Sequence, residues 1–379
     1  MTTHNEIRSP AERPQGEERA RAYERGSLWL RLFNVALVAV ALLAFLLSGA
    51  SVGLRDWTRD VTGNVWLQVA LYTVVIVTVW SVVTLPLDYL TDFRREHRYG
   101  LSTQRLGGWL LDQAKGFLLS LVLVVLVLEG AYWLLRETGG WWWLWAAAGM
   151  VALSIIVTSL GPVLFIPIFY KLQRIDDAEL TRRLTEVAER EGARVIGVYR
   201  MNMSAKTRKA NAMVAGLGRT QRIILGDTLL EGFTPEEIEV VVAHEVAHYR
   251  HRDLWKGIGV SAALNLVGLF IASRVLDALA DRGSLEGPAD IAALPVLLLS
   301  LGVYGLIVLP LGNASSRRRE SLVDRAALQA TGLAGPFISA MRRLASLNLA
   351  NPAPHPLVEA VFYSHPSISR RIAMAERMK

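Results

Sequence analysis

The chain has no cysteine. Disulfide staples and thiolate metal sites are therefore excluded, and any bound metal must be held by histidine and carboxylate. Charge is also scarce. Of 379 residues, 20% are charged and 52% are hydrophobic, whereas a soluble globular domain carries about a quarter charged residues. There is no basic stripe with interleaved aromatics. The formal charge of +7 therefore reads as Lys and Arg beside a bilayer, with no nucleic-acid partner expected. No internal repeat and no low-complexity tract is evident.

What the chain does have is apolar length. Runs able to cross a bilayer occur at about 28–50, 65–90, 117–135, 141–169, 257–279 and 291–312, which predicts six membrane helices. The first is longer than the roughly 7–15-residue core of a signal peptide, and no small-residue cleavage pattern follows it, so it is expected to remain as an anchor. The fourth is interrupted by Gly161, Pro162 and Pro167, which predicts a kink or break before Tyr170. Residues 1–27 are polar, rich in Arg and Glu, and are expected to form a disordered tail.

Charge sets the expected orientation. Arg8, Arg13, Arg19, Arg21 and Arg25 precede the first run, and Arg94, Arg95, Arg98, Arg105 and Lys115 follow the second. The segment from Lys171 to Lys256 and the region after Gly312 are also basic, while Arg55 to Asp60 is balanced and Asp277 to Asp290 is acidic. By the positive-inside rule both termini and all large polar segments face the cytoplasm. Trp141, Trp142, Trp143 and Trp145 suit an aromatic belt at the opposite interface. The expected organisation is a cytoplasmic tail (1–27), spans one to four (28–170), a catalytic α/β unit (171–256), spans five and six (257–312) and a cytoplasmic C-terminal segment (313–379).

Within the polar unit, Asp177 to Glu191 has helical periodicity and Val195 to Arg200 alternates as a strand does. Asn211 to Gly216 and Arg222 to Leu225 read as paired strands. Thr234, followed by Pro235, Glu236 and Glu237, marks the start of a helix reaching Arg250. That helix carries His244-Glu245-Val246-Ala247-His248. Its two histidines lie one turn apart on one face, so both rings can reach one zinc ion. Glu245, beside the first ligand, can serve as general base for water without binding the metal. The flanking Ile238 to Ala243 is apolar, which places the motif on a partly buried helix.

Two histidines leave a tetrahedral site one protein ligand short. After the sixth run comes Ser316-Arg317-Arg318-Arg319-Glu320-Ser321-Leu322-Val323-Asp324. On a helix, Glu320 and Asp324 share a face. Glu320 then binds the metal and Asp324 orients a ligand imidazole, or the stretch is an ordinary charged face making surface ion pairs. Spacing alone leaves both open. His97 and His251, flanked by arginine, read as solvated loop residues. Asp253 is placed near the end of the motif helix and away from the zinc. Glu129 is an ionisable group inside the third run, a candidate for function by default. Asn265 and Asn313 are candidates for hydrogen bonds between helices.

These motifs together resemble the CAAX prenyl protease type 1 family of integral-membrane zinc endopeptidases. The likeness also covers Arg98-Tyr99-Gly100-Leu101-Ser102-Thr103-Gln104 with Trp109, Asp112 and Lys115, then Asn211-Ala212 to Gly216 and Arg222 to Leu230. It extends to Asn351-Pro352 through His355-Pro356 and to Tyr363-Ser364-His365-Pro366 with Arg371. It runs from about Tyr89 to Ile372. The resemblance implies a mostly α fold, a polytopic membrane helix bundle enclosing a chamber, with a small cytoplasmic α/β zinc-protease unit. It implies Zn2+ on His244, His248 and Glu320, with Asp324 behind them and Glu245 as the base. It implies that His365 and Arg371 face the cleft, stabilising an oxyanion or holding a substrate carboxylate. It implies that Asn211, Ala212 and Gly216 belong to an edge strand that pairs with an extended peptide. This sequence departs from the family in two respects: eukaryotic members have one span more, and Ser321, Leu322 and Val323 replace an aromatic and a small residue before the aspartate.

The expected activity is zinc-dependent hydrolysis of peptide or protein substrates at the cytoplasmic face of a membrane, the Ala/Arg/Leu-rich composition suggesting a bacterial inner or plasma membrane. The alternatives are a quality-control protease that clips damaged membrane proteins, and a non-enzymatic membrane scaffold or transporter. Against the last, the ionisable groups gather in one polar unit and are not strung through the spans.

Overall fold

The computed structural model describes residues 12–282 and 285–379. Helix α1, Glu12–Leu47, begins well before the apolar run. The expected disordered tail is thus helical wherever it is described; residues 1–11 lie outside the described residues. The Glu, Arg and Ala of this stretch are strong helix formers, Glu17 pairs with Arg21 one turn on at 3.2 Å, and Ala20 is buried. Gly49, in the left-handed conformation at φ 75°, turns the chain into α2, Ala50–Val61. This short amphipathic helix was not legible as a separate element. It lies against the end of the bundle remote from the polar unit: Arg55 meets Asp290 at 2.7 Å and Ser51 donates to the Ala292 carbonyl at 2.7 Å.

Helix α3, Val65–Asp88, is capped by the Asn64 side chain and continues through a π turn at Tyr89–Arg94 into α4, Arg95–Arg98. Helix α5 is Leu106–Glu137, and α6 is Trp142–Leu160. At Gly161–Phe165 the chain widens into a second π turn before α7, Ile166–Phe169. This is the interruption that Gly161, Pro162 and Pro167 predict, since proline removes a helical donor and crowds the preceding turn.

The polar unit follows. Strand β1 is Leu172–Arg174, helix α8 Ala178–Arg190, β2 Val198–Met201, β3 Ala212–Ala215 and β4 Arg222–Gly226. The sheet order is β1-β2-β4-β3. β3 pairs antiparallel with β4, Met213 opposite Ile224, which leaves its other side at the sheet edge. Short α9, Asp227–Gly232, leads to α10, Pro235–Arg250. Leu184, Val198, Leu225, Leu229, Val242 and Val246 form one buried core between sheet and helices.

Helix α11, Asp253–Asp281, and α12, Leu294–Thr331, return through the bundle. The boundaries expected at 27/28, 256/257 and 312/313 all fall inside continuous helices. Helical hydrogen bonds do not stop where hydropathy falls, so a span that meets good helix formers simply runs on. Helices α13, Ala334–Leu347, α14, Pro356–Phe362, and α15, Ile368–Glu376, complete the chain. Among the described residues six helical stretches are long and apolar enough to cross a membrane: Gly16–Leu47, Val65–Arg98, Leu106–Glu137, Gly139–Phe169, Asp253–Asp281 and Ile291–Thr331.

Candidate active site

Helix α10 is built to hold its position. Thr234 accepts a hydrogen bond from the Glu237 N–H while the Glu237 carboxylate accepts from the Thr234 N–H, a reciprocal cap. Ile238, Val240, Val242, Ala243, Val246 and Ala247 are buried. With those faces committed to the core, His244 and His248 project from the remaining stripe. Helix α12 supplies Glu320 from the opposite side. Nε2 of His244 is 3.3 Å from Oε2 of Glu320, and Nε2 of His248 is 3.5 Å from Oε1. The two imidazoles stand 5.0 Å apart at 87°. One donor atom from each of the three residues lies within 4.8 Å of the other two.

These residues fit a divalent metal. The Glu320 Oε2 atom is buried and has no hydrogen-bond partner in the protein, a costly state for a carboxylate oxygen unless something else binds it. Two neutral imidazoles and one carboxylate are a donor set for a catalytic metal with an open position.

Each histidine is held from behind. His244 Nδ1 lies 2.9 Å from Asp324 Oδ1, close enough for charge pairing although outside hydrogen-bonding angle. Asp324 is in turn gripped by Arg371, whose Nε and second terminal nitrogen donate to its two oxygens at 2.8 and 2.6 Å. His248 Nδ1 is 3.0 Å from Asp253 Oδ2. Both carboxylates direct Nε2 toward the cluster. Burial works against a charged His244, but Asp324 and Glu320 outweigh it and push its pKa up to about 9 in the metal-free protein.

Glu245 lines the cleft beside His244. Burial raises its pKa above the usual carboxylate range, opposed by the two histidines. His365 brings Nε2 to 3.3 Å from Glu320 Oε1. The cleft, about 560 Å³, is also lined by Asn211 and Ala212 at the start of β3 and by Tyr23 and Glu24 of α1.

Several expectations are refined. Arg371 reaches the cleft, yet its main engagement is the clamp on Asp324. Gly216 lies past the end of β3, at φ +104°, where a Cβ would fall 2.5 Å from the Thr220 carbonyl oxygen; it makes the turn to β4. Asp253, expected near the end of the motif helix, lies outside the three-residue group and meets His248 Nδ1 at 3.0 Å. His97 sits between the Phe93 and Gln104 carbonyls and, like His251, is outside the three-residue metal group. Glu129 does not line the cleft. Asn313 donates to the Val361 carbonyl at 2.6 Å, tying the end of α14 to α12. Glu24 had no signal in the sequence, because its partners Asn351 and Tyr363 are more than 300 residues away.

A membrane helix bundle carrying a buried two-histidine, one-glutamate cluster with an adjacent carboxylate defines an integral-membrane metallopeptidase. Comparison with known proteins agrees. Residues 13–171 match the family model described as CAAX prenyl protease N-terminal, five membrane helices, and residues 174–379 match peptidase family M48. The chain belongs to peptidase family M48. Where that N-terminal description has five membrane helices, four stretches among the described residues are long and apolar enough to span.

Similar proteins include "Uncharacterized metalloprotease YhfN" of Bacillus subtilis (strain 168), 30% identical over 94% of this chain and 85% of its own length. The CAAX prenyl protease 1 homolog of Arabidopsis thaliana is 27% identical over 78% and 70%. CAAX prenyl protease 1 of Saccharomyces cerevisiae is 24% identical over 77% and 68%. The crystal structure of S. mikatae Ste24p superposes with a TM-score of 0.85 at 19% identity, covering 96% of this chain and 89% of that one. A mostly helical bundle with a small sheet is therefore the fold found, and the protein is an integral-membrane metalloendopeptidase acting on peptide or protein substrates.

Proposed function

We propose that this protein is a zinc endopeptidase that cleaves extended peptides at the cytoplasmic face of a bacterial inner or plasma membrane. The observation that carries the reading is the convergence of His244, His248 and Glu320 donor atoms within 4.8 Å, beside Glu245 on the floor of a cleft edged by β3. The Lys and Arg flanking the spans support the orientation, and the Bacillus relative supports the compartment.

His244, His248 and Glu320 would hold the zinc, which when bound polarises the scissile carbonyl and acidifies water. Glu245 takes the proton from the attacking water and delivers it to the leaving nitrogen; its partial burial raises its basicity toward that task. Asn211 and Ala212 present the open edge of β3, so an extended peptide adds there as a further strand and its main chain is held along the cleft. His365, next to Glu320, donates to the oxygen on which charge develops. Arg371 and Asp253 act through the ligand histidines: one fixes Asp324 on His244, the other fixes His248.

The test is a quenched-peptide assay with the purified protein in lipid. Glu245→Gln should lose about 10²–10⁴-fold in turnover with bound zinc unchanged. Full activity of that variant, or activity indifferent to chelator, would overturn the mechanism.

A further inference from the structure

We propose that Glu24, on the part of α1 that precedes its apolar run, is a positioning residue for the peptidase reaction: through Tyr363 it holds the turn that presents His365 to the metal cluster. The proposal rests on the role given to His365 above.

The turn from Phe362 to Pro366 is gripped from two sides. From α12, Arg317 donates to the Glu359 carbonyl at 3.0 Å and to the Tyr363 carbonyl at 2.6 Å. From α1, Arg31 donates to the Phe362 carbonyl at 3.5 Å, and Glu24 accepts hydrogen bonds from the Tyr363 hydroxyl and from Asn351 Nδ2. Each oxygen of the Glu24 carboxylate thus has its own donor, on two separate stretches of the cleft wall. His365 lies two residues beyond Tyr363. Its side chain is 54% exposed, and its Nδ1 meets only the neighbouring Ser364 hydroxyl at 2.9 Å. Side-chain packing therefore does little to fix the ring, and the backbone of the turn must do so.

The helix that carries Glu24 is anchored in turn. The Arg95 guanidinium donates to the Tyr23 carbonyl at 2.6 Å and to the Ser27 hydroxyl at 2.8 Å. The Tyr23 hydroxyl donates to Glu96, which also pairs with Lys209 at 2.8 Å. Lys209 is the second residue before Asn211, so one helix ties together α4, the approach to β3 and the His365 turn. A polar helix with this set of partners is explained by a place in the cleft wall and not by a role as a tail.

The test uses the full-length protein in lipid, with kcat, KM, metal content and thermal midpoint measured for each variant. Glu24→Ala should lower kcat about tenfold or more, as a displaced donor would, with KM changed less than about twofold and metal content unchanged. Glu24→Gln keeps an acceptor for Tyr363 and should recover most of the loss. Tyr363→Phe removes one hydroxyl and should reproduce the Glu24→Ala defect even where Glu24→Ala folds poorly. In a His365→Ala background Glu24→Ala should be silent, because the group it positions is gone. Equal losses with and without His365, an unchanged kcat, or an effect confined to KM would overturn the proposal. A fully active His365→Ala would instead locate the failure in the assigned role of His365, and would overturn the proposal with it.

Discussion

Arg371 holds Asp324 by two parallel hydrogen bonds, and the same Asp324 oxygen that takes the shorter of them lies 2.9 Å from His244 Nδ1. A residue on the last helix is thereby linked to the His244 ring on α10 by way of α12. Lysine cannot reproduce a planar two-donor fork. Arg371→Lys should weaken zinc binding by about 10–100-fold, the usual cost of losing such a support, as measured by competition with a chromogenic chelator. Unchanged affinity would mean that Asp324 needs no clamp.

The two histidines have supports of unequal weight. His244 is 10% exposed over a 1% exposed Asp324, while His248 is 28% exposed over Asp253 at 9%. Leaving a ring misaligned costs most where water cannot compensate. Asp324→Ala should therefore reduce zinc affinity more than Asp253→Ala does, the latter by about tenfold. Titration of both metal-free variants checks the order.

Zinc uptake by the metal-free protein should depend on pH. His244 is pushed up to about 9 by Asp324 and Glu320 against the effect of burial, so its ring carries a proton at neutral pH that zinc must displace. Affinity should rise from pH 7 to about 9 and then level, with one proton released per ion below that limit. Calorimetry in buffers of different ionisation enthalpy reads the proton directly. A flat profile would mean that His244 is already neutral at pH 7.

Gly216→Ala places a methyl group 2.5 Å from a backbone oxygen at a φ of +104°. The turn between β3 and β4 must shift, at a cost of about 1–3 kcal/mol. Because β3 forms the open edge, the thermal midpoint and peptide affinity should fall together. An Ala variant with wild-type values of both would show that the turn relaxes freely.

The legible parts of this site were those written in local periodicity. His244, Glu245 and His248 share a turn of one helix, and Glu320 and Asp324 share a turn of another, so residue spacing exposed both groups. That the two helices meet across 72 residues was not local information; spacing left Glu320 undecided, and the fold brings it to 3.3 Å from His244. The contact of Asp253 with His248 was not legible, because Asp253 starts a new helix after Arg252, whose left-handed φ of 52° turns the chain back. Helix α1 before Leu28 was misread because its polar composition resembles a solvated tail; what orders it are Arg95, Glu96, Asn351 and Tyr363, all distant in sequence. Strand β1 has three residues, too few to show alternation.

Helix α12 carries the sixth apolar run and Glu320 on one rod. From Gly312, where hydropathy ends, to Glu320 is eight residues, about 12 Å along the axis at about 1.5 Å per residue. No loop separates the two, so an axial shift of the apolar segment carries Glu320 with it.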